Sequence, residues 1–97
     1  MSKPYMISYD LNDPGQNYED VTKEIESISA VSIELQKSFW LVRSTLSADE
    51  MTEALKKSMD KNDSLFICEI VNNYQGLDTK DNWKFIRESI FLKNKDS

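Results

Sequence analysis

The residues best suited to chemistry lie together near the start of the chain, in the run YDLND from Tyr9 to Asp13. A carboxylate that ends a strand and precedes a polar loop suits a hard cation such as Mg²⁺, which takes one or two carboxylates together with waters. If two copies of the chain brought their Asp10 side chains together, the pair could hold one Mg²⁺ or Mn²⁺ ion and activate water. Asp10 is therefore the candidate metal ligand and catalytic residue, with Tyr9, Asn12 and Asp13 as candidate ligand contacts. The structural alternative is that Asp10 pairs with Lys37 or caps the following turn.

Two residues farther along the chain are also candidate ligand contacts. Arg43 and Arg87 are the two arginines, and the guanidinium group of either could bind a phosphate through two hydrogen bonds, although pairing with a surface carboxylate is the simpler role. Of the two, Arg43 is the candidate ligand contact. Tyr74 offers an aromatic ring with a hydroxyl group, a combination that suits an exposed contact. The single cysteine, Cys68, lies in an apolar run, which predicts a buried and unreactive thiol. The tryptophans and phenylalanines could stack on bases, but packing is the more common role at such positions.

The composition excludes several classes of mechanism. The chain has 97 residues, no histidine and one cysteine, so it can form no Ser-His-Asp triad, no His-ligated zinc site and no intramolecular disulfide. Its 12 basic and 17 acidic residues give a net charge of -5, which argues against broad binding of double-stranded DNA. No stretch is long and apolar enough to predict a membrane helix or a signal peptide. We therefore expect a cytoplasmic protein without membrane contacts.

The spacing of apolar residues predicts four strands and three helices. In chain order these are a strand at 5–11, a helix at 18–28, a hairpin of strands at 31–35 and 39–42, a helix after Ser47, a strand at 65–71 and a helix at about 80–92. Ser47 and Glu50 form a capping-box pattern at the start of the second helix. The order β-α-β-β-α-β with an extra C-terminal helix predicts an α+β protein, a ferredoxin-like two-layer sandwich. We expect one domain over 1–97, with its core at about 5–71.

This topology leaves one face of the sheet without its own helix layer. Right-handed crossovers place the first and third strands in the centre and both long helices on one face. The other face carries either Ile7 and Tyr9 or Met6 and Ser8. It must be covered by the C-terminal helix, by a partner, or by both, and for so short a chain we expect a homodimer.

Three segments resemble a known family. The run YMISYDL at 5–11 is similar to the opening strand of the small CRISPR adaptation proteins, which ends in a Tyr-Asp pair. It also resembles the same strand in their stand-alone relatives, the virulence-associated protein D toxins and the SinR-like proteins. The runs DKNDSLFI at 60–67 and KSFWLV at 37–42 resemble the approach to the fourth strand and the third strand, the latter in the SinR-like proteins especially. The resemblance covers about 5–71. It implies a ferredoxin-like fold, a homodimer and, in some members, a metal-dependent nuclease whose metal-binding aspartate matches Asp10.

Two functions remain from the sequence. The first is a homodimeric binding module that holds a nucleotide-type ligand or a protein partner at the subunit interface, without strong catalytic activity. The acidic charge, the scarcity of arginine and the aromatic content favour it, and it requires no cofactor. The alternative is a metal-dependent endoribonuclease that uses paired Asp10 carboxylates with Mg²⁺ or Mn²⁺. A third, weaker interpretation is an acidic mimic of nucleic acid that blocks another protein.

Overall fold

The computed structural model of the protein describes residues 1–12 and 18–92. It contains four strands and three helices, the last of which changes from α-helical to π-helical geometry. The elements are β1 (Lys3–Asp10), α1 (Tyr18–Ser27), β2 (Val31–Gln36), β3 (Phe39–Ser44), α2 (Ala48–Lys56), β4 (Ser64–Glu69) and α3 (Lys80–Phe85), which continues as the π-helical turn Ile86–Ile90. We call Lys80–Ile90 the C-terminal helix. All elements match the sequence-based prediction in type and order, with ends that differ by a few residues.

The strands form one antiparallel sheet in the order β2-β3-β1-β4. Strands β1 and β3 are therefore the central pair, as the crossover argument predicts. The predicted hairpin joins β2 to β3, and its turn places Ser38 at a φ of 65°. The chain is thus an α+β protein built on a four-stranded antiparallel sheet.

One face of the sheet packs against α1 and α2. Strand β1 contributes Tyr5, Ile7 and Tyr9 to this core because alternate side chains of a strand point to the same face. Helix α1 contributes Val21 and Ile25, and α2 contributes Met51 and Leu55, all of them fully buried. The predicted capping box is present, since the Glu50 N–H donates to Ser47 Oγ and the Ser47 N–H donates to Glu50 Oε1.

The opposite face, which we call the second face, carries the Met6 and Ser8 set. The C-terminal helix packs on it through Ile86 and Ile90, which bury Leu41 of β3 and partly bury the apolar side chains of β2. It packs mainly on β2 and β3. Within the described residues, the helix therefore covers the half of the second face that lies over these two strands.

Strand β4 corrects the sequence-based prediction of a buried strand. It is an edge strand, and Phe66 and Cys68 on its second face are exposed, with Phe66 at 64%. The apolar run at 65–71 predicts burial on both faces, but the helix that could cover β4 packs on the other half of the sheet. Glu69 is also exposed, at the C-terminal end of this edge strand.

The other edge strand, β2, is irregular. Its register against β3 shifts between Glu34 and Gln36, which is the signature of a β-bulge. The Glu34 carboxylate turns back to accept a hydrogen bond from the Ser38 N–H at 3.1 Å. The end of this edge is thus kinked and occupied by a charged side chain.

Arg43 fastens the C-terminal helix to the sheet. Its Nη1 donates to the Ile90 carbonyl oxygen at 2.6 Å, and its Nε donates to Ser2 Oγ at 3.0 Å. Its Nη2 donates to the Ser2 carbonyl oxygen. A cation is favourable at the carbonyl end of a helix because the last carbonyl groups carry partial negative charge. One half-buried side chain on β3 therefore joins the beginning of β1 to the end of the C-terminal helix.

We expect Arg43→Met to destabilise the protein by about 2–3 kcal/mol, because it removes charge-assisted hydrogen bonds and leaves their acceptors unpaired. Urea unfolding followed by circular dichroism measures the change. Arg87→Met is the matched control: Arg87 is exposed on the same helix, and its loss should change stability by less than about 0.5 kcal/mol. Equal effects of the two substitutions would contradict the anchoring role of Arg43.

Candidate ligand groove

A groove runs between the second face of the sheet and the C-terminal helix. Its volume is about 470 Å³, which lies within the range of small-molecule sites. The sheet supplies Met6, Phe39 and Leu41 as its floor, and the helix supplies Trp83 and Ile86 as one wall. The segment that follows β4 forms the other wall. The groove exists because the helix covers only part of the sheet.

Three aromatic rings form a stack at the groove. The ring of Tyr74 lies parallel to that of Phe91, with centroids 4.7 Å apart and an angle of 7° between the planes. The centroid of the Trp83 ring lies 6.1 Å from that of the same tyrosine, with an angle of 23° between the planes. Tyr74 is 38% exposed, so part of its ring remains accessible. Of the predicted ligand contacts, Tyr74 is the one that the structure places in the groove.

The apolar groove continues into a polar opening. Asn73, Tyr74, Gln75 and Trp83 line both, and the opening adds Asn72 and Arg87. Arg87 is exposed, and among residues 1–12 and 18–92 its guanidinium is the one cationic group that lines either cavity. The site thus combines an aromatic, apolar slot with a cation and amide groups at its mouth.

The predicted site around Asp10 lies away from this groove. Asp10 is exposed at the end of β1, opposite Ser64 of β4. The neighbouring Lys37 lies over the Tyr18 ring, 5.1 Å from its centroid, rather than in one of the described ion pairs. Asp13 lies outside the described residues. Asp10 therefore stands as a solvated carboxylate at the sheet end.

Asp63, which the sequence did not single out, organises the loop beside Asp10. Its Oδ1 accepts a hydrogen bond from the Asn12 N–H, and its Oδ2 accepts one from the Asp60 N–H, both at 2.7 Å. Asn12 is thus held by a hydrogen bond from its backbone N–H, and the residue is exposed. In the part of the chain that the structure describes, no three Cys, Asp or Glu side chains come together as a metal site.

Two predicted ligand contacts have structural partners instead. Tyr9 is 5% exposed, on the face that packs against α1 and α2, and its hydroxyl oxygen accepts a hydrogen bond from Trp40 Nε1 at 3.3 Å. The guanidinium of Arg43 is occupied by Ser2 and Ile90. Neither side chain lines the groove. Tyr9 belongs to the inward set of β1 because it follows Ile7 by two residues, a signal that the sequence contained.

Trp83, Phe91 and Arg87 also line the groove or its opening. The sequence offered Arg87 as an alternative phosphate contact to Arg43 and Trp83 as an alternative stacking surface, but neither was chosen, and Phe91 was not considered as a site residue. Trp83 was assigned to packing because it lies at helical spacing with Ile86 and Ile90. Packing is part of its role, since its ring also stacks near Tyr74. The available signal was the concentration of aromatic residues between 74 and 91, with an arginine among them.

Comparison with known proteins finds a solved structure with a similar fold. No protein-family model matches the chain, and no curated protein matches it. Among solved structures, the chain is similar to the crystal structure of a hypothetical protein, TT1823 from Thermus thermophilus, with a TM-score of 0.61 and 16% sequence identity. The match covers 81% of this chain and 94% of that one. Separately, no helix in residues 1–12 and 18–92 is long and apolar enough to cross a membrane.

We expect Tyr9→Phe to destabilise the protein by about 1–3 kcal/mol without affecting ligand binding, because it removes the acceptor of the buried Trp40 N–H. Chemical unfolding measures the loss. Tyr74→Phe is the control, since an exposed hydroxyl contributes little and its loss should cost less than about 0.5 kcal/mol. A larger loss for Tyr74→Phe than for Tyr9→Phe would show that the Tyr9 hydroxyl is not the structural one.

Proposed function

We propose that the protein is a homodimeric binding module for a nucleotide-type ligand, which it holds in the groove beneath the C-terminal helix. The observation that carries the proposal is the continuity between an aromatic, apolar slot and an opening lined by Arg87. A nucleotide has the same two parts, a flat base and a charged phosphate. The groove lies within one chain, so the site does not need the subunit interface that the sequence suggested.

The base is the part that fits the slot. Stacking of a base on an aromatic ring contributes about 1–3 kcal/mol. Tyr74 and Trp83 present ring surfaces next to the apolar floor formed by Met6 and Leu41. Asn73 and Gln75 offer amide groups that can donate to and accept from the edge of a base.

The phosphate is the part that fits the opening. Arg87 can hold two phosphate oxygens at once, because its planar guanidinium presents parallel N–H groups. A single small ligand requires one such contact, so the net charge of -5 does not oppose it. A long nucleic acid would need a row of cations.

The fold and the assembly belong to the same proposal. The order β-α-β-β-α-β and the four-stranded antiparallel sheet are compatible with the ferredoxin-like fold, which we propose as its class. The resemblance to the SinR-like proteins favours a homodimer. Phe66, exposed on the open half of the second face, supports it, because a second chain that contacts its ring would be stabilised by the apolar surface it buries.

We expect adenosine 5′-monophosphate to quench the fluorescence of Trp83 in a saturable manner. The measurement uses a Trp40→Phe background, which leaves Trp83 as the one remaining tryptophan of the two. Tyr74→Ala should weaken binding by roughly tenfold or more because a stacking surface is lost. Arg87→Gln should weaken the nucleotide by a similar factor and leave the weaker binding of adenosine unchanged.

Lys84→Gln is the matched control for Arg87→Gln, because it removes one positive charge from the same helix but from a residue that lines neither cavity. An equal loss of nucleotide affinity in the two variants would show that Arg87 acts through net charge and not through a direct contact with phosphate. Absence of saturable quenching would overturn the nucleotide proposal. The groove would then have to accept apolar side chains of a protein partner.

A metal-dependent endoribonuclease is the second candidate, because Asp10 is exposed at the end of a central strand. A face-to-face dimer through the open half of the second face could bring two Asp10 carboxylates to one Mg²⁺ or Mn²⁺ ion. The test is cleavage of RNA by the purified protein with Mn²⁺, compared with Asp10→Asn. Activity that the substitution abolishes supports this candidate. Equal background in both proteins, insensitive to a chelator, contradicts it.

A further inference from the structure

The outer edge of β4 carries a row of backbone groups whose identity follows from the hydrogen-bond pattern of the sheet. In an antiparallel pair, hydrogen-bonded and non-hydrogen-bonded residue pairs alternate. The Ile70 N–H donates to the carbonyl oxygen of Pro4 at 3.0 Å, and the β1–β4 register places these residues opposite each other. Counting in steps of two, the even-numbered residues of β4 turn their N–H and C=O groups toward β1. The groups that face outward belong to Leu65, Ile67 and Glu69, and no described strand pairs with them.

This edge has fewer of the features that protect edge strands from pairing than the edge at β2 has. Natural edges are blunted by charges, prolines and bulges. Strand β2 has a bulge, and the Glu34 carboxylate lies at its end. Strand β4 has a regular register against β1 and no proline, and its one charged residue, Glu69, is the last residue of the strand. The two edge strands of the sheet therefore differ in regularity, and β4 is the one better able to pair with another strand.

We propose that a second copy of this chain pairs antiparallel with β4 about a two-fold axis at Ile67, which joins two four-stranded sheets into one of eight strands. The outward groups are centred on Ile67, so this register uses all three residues of each copy. Each of the three opposed pairs exchanges two hydrogen bonds, about six in total. The proposal deepens the dimer part of the proposed function and is independent of the nucleotide groove.

The side chains favour the same register. Phe66 of one copy lies opposite Cys68 of the other in a non-hydrogen-bonded pair, where side chains approach most closely. Both residues are exposed in the single chain. Glu69 lies opposite Leu65. A shift that places Glu69 opposite Asp63 would oppose two carboxylates and use only two outward residues of each copy.

This dimer is incompatible with a metal ion shared by two Asp10 residues. Asp10 lies opposite Ser64, three residues from Ile67, and each β1 lies one strand farther from the axis than β4. With strands about 4.8 Å apart and residues about 3.4 Å apart, the two Asp10 residues would be roughly 25 Å from each other. The edge dimer and the paired-carboxylate nuclease therefore exclude each other.

Disulfide trapping tests the register. The substitution Phe66→Cys creates a thiol opposite Cys68 of the second copy, at a Cα distance of about 4.5 Å that a disulfide can span. With oxidised glutathione as the oxidant, two thiols lose two protons and two electrons, and two such bonds form in each dimer. We expect nearly complete covalent dimer on a non-reducing gel at micromolar protein.

The matched control is Ser64→Cys, which adds a thiol to the same face of the same strand. In the proposed register it lies opposite Ile70, two residues from Cys68 of the second copy and about 8 Å away, beyond the reach of a disulfide. The natural Cys68 is equally far from its own copy and should not cross-link. Equal trapping of the two variants, or trapping of Ser64→Cys alone, would overturn the proposal.

Sedimentation analysis tests the pairing without a cross-link. The Glu69 N–H faces outward, so Glu69→Pro removes two hydrogen bonds from the dimer and none from the bond ladder with β1. We expect its dimer dissociation constant to rise by roughly tenfold or more, whereas Glu69→Ala should leave it nearly unchanged. A monomeric wild-type protein up to about 100 μM, a concentration well above common dimer affinities, would overturn the proposal. Loss of nucleotide binding with trapping intact would overturn only the proposed function.

Discussion

The central position of β1 is the constraint on which the rest of the structure depends. The side chains of β1 alternate between the two faces of the sheet, and apolar side chains on either face are stabilised when another element covers them. Ile7 and the inward set of β1 pack against α1 and α2, whereas Met6 on the other face packs against the cluster of the C-terminal helix. The same alternation acts on the backbone: because one set of β1 residues bonds to β3 and the other to β4, it decides which groups of β4 are left at the edge.

The C-terminal helix covers half of the second face, and the groove lies where this cover ends. Arg43 holds the end of the helix over β3, so the helix cannot move across to β4 without breaking those hydrogen bonds. The gap that remains is lined on the far side by the segment after β4, which brings Tyr74 against Phe91. Stability and site are therefore linked, because the anchor of the helix also sets the width of the slot beneath it.

The sequence predicted what short-range patterns control. The alternation in β1, the hairpin turn at Ser38 and the capping box of Ser47 and Glu50 each depend on residues a few positions apart, and each is present. The exposure of β4 could not be predicted, because an apolar run does not indicate what lies over it. The partners of Arg43 are 41 and 47 residues away in the chain, so no local pattern reveals them. Tyr74 was identified by its residue type, but its two stacking partners come from a different element.

The bulge in β2 has a consequence for how far any pairing of these sheets can proceed. An interface that uses the same strand from both chains is isologous and consumes that edge completely. The sheet that results would end on each side in a copy of β2, where the register shift at Glu34 and Gln36 interrupts the regular row of hydrogen-bonding groups. Growth beyond two chains would therefore have to proceed through β2, where the bulge opposes regular pairing. Two regular edges would permit an endless ribbon of the kind found in amyloid, and an irregular edge opposes it.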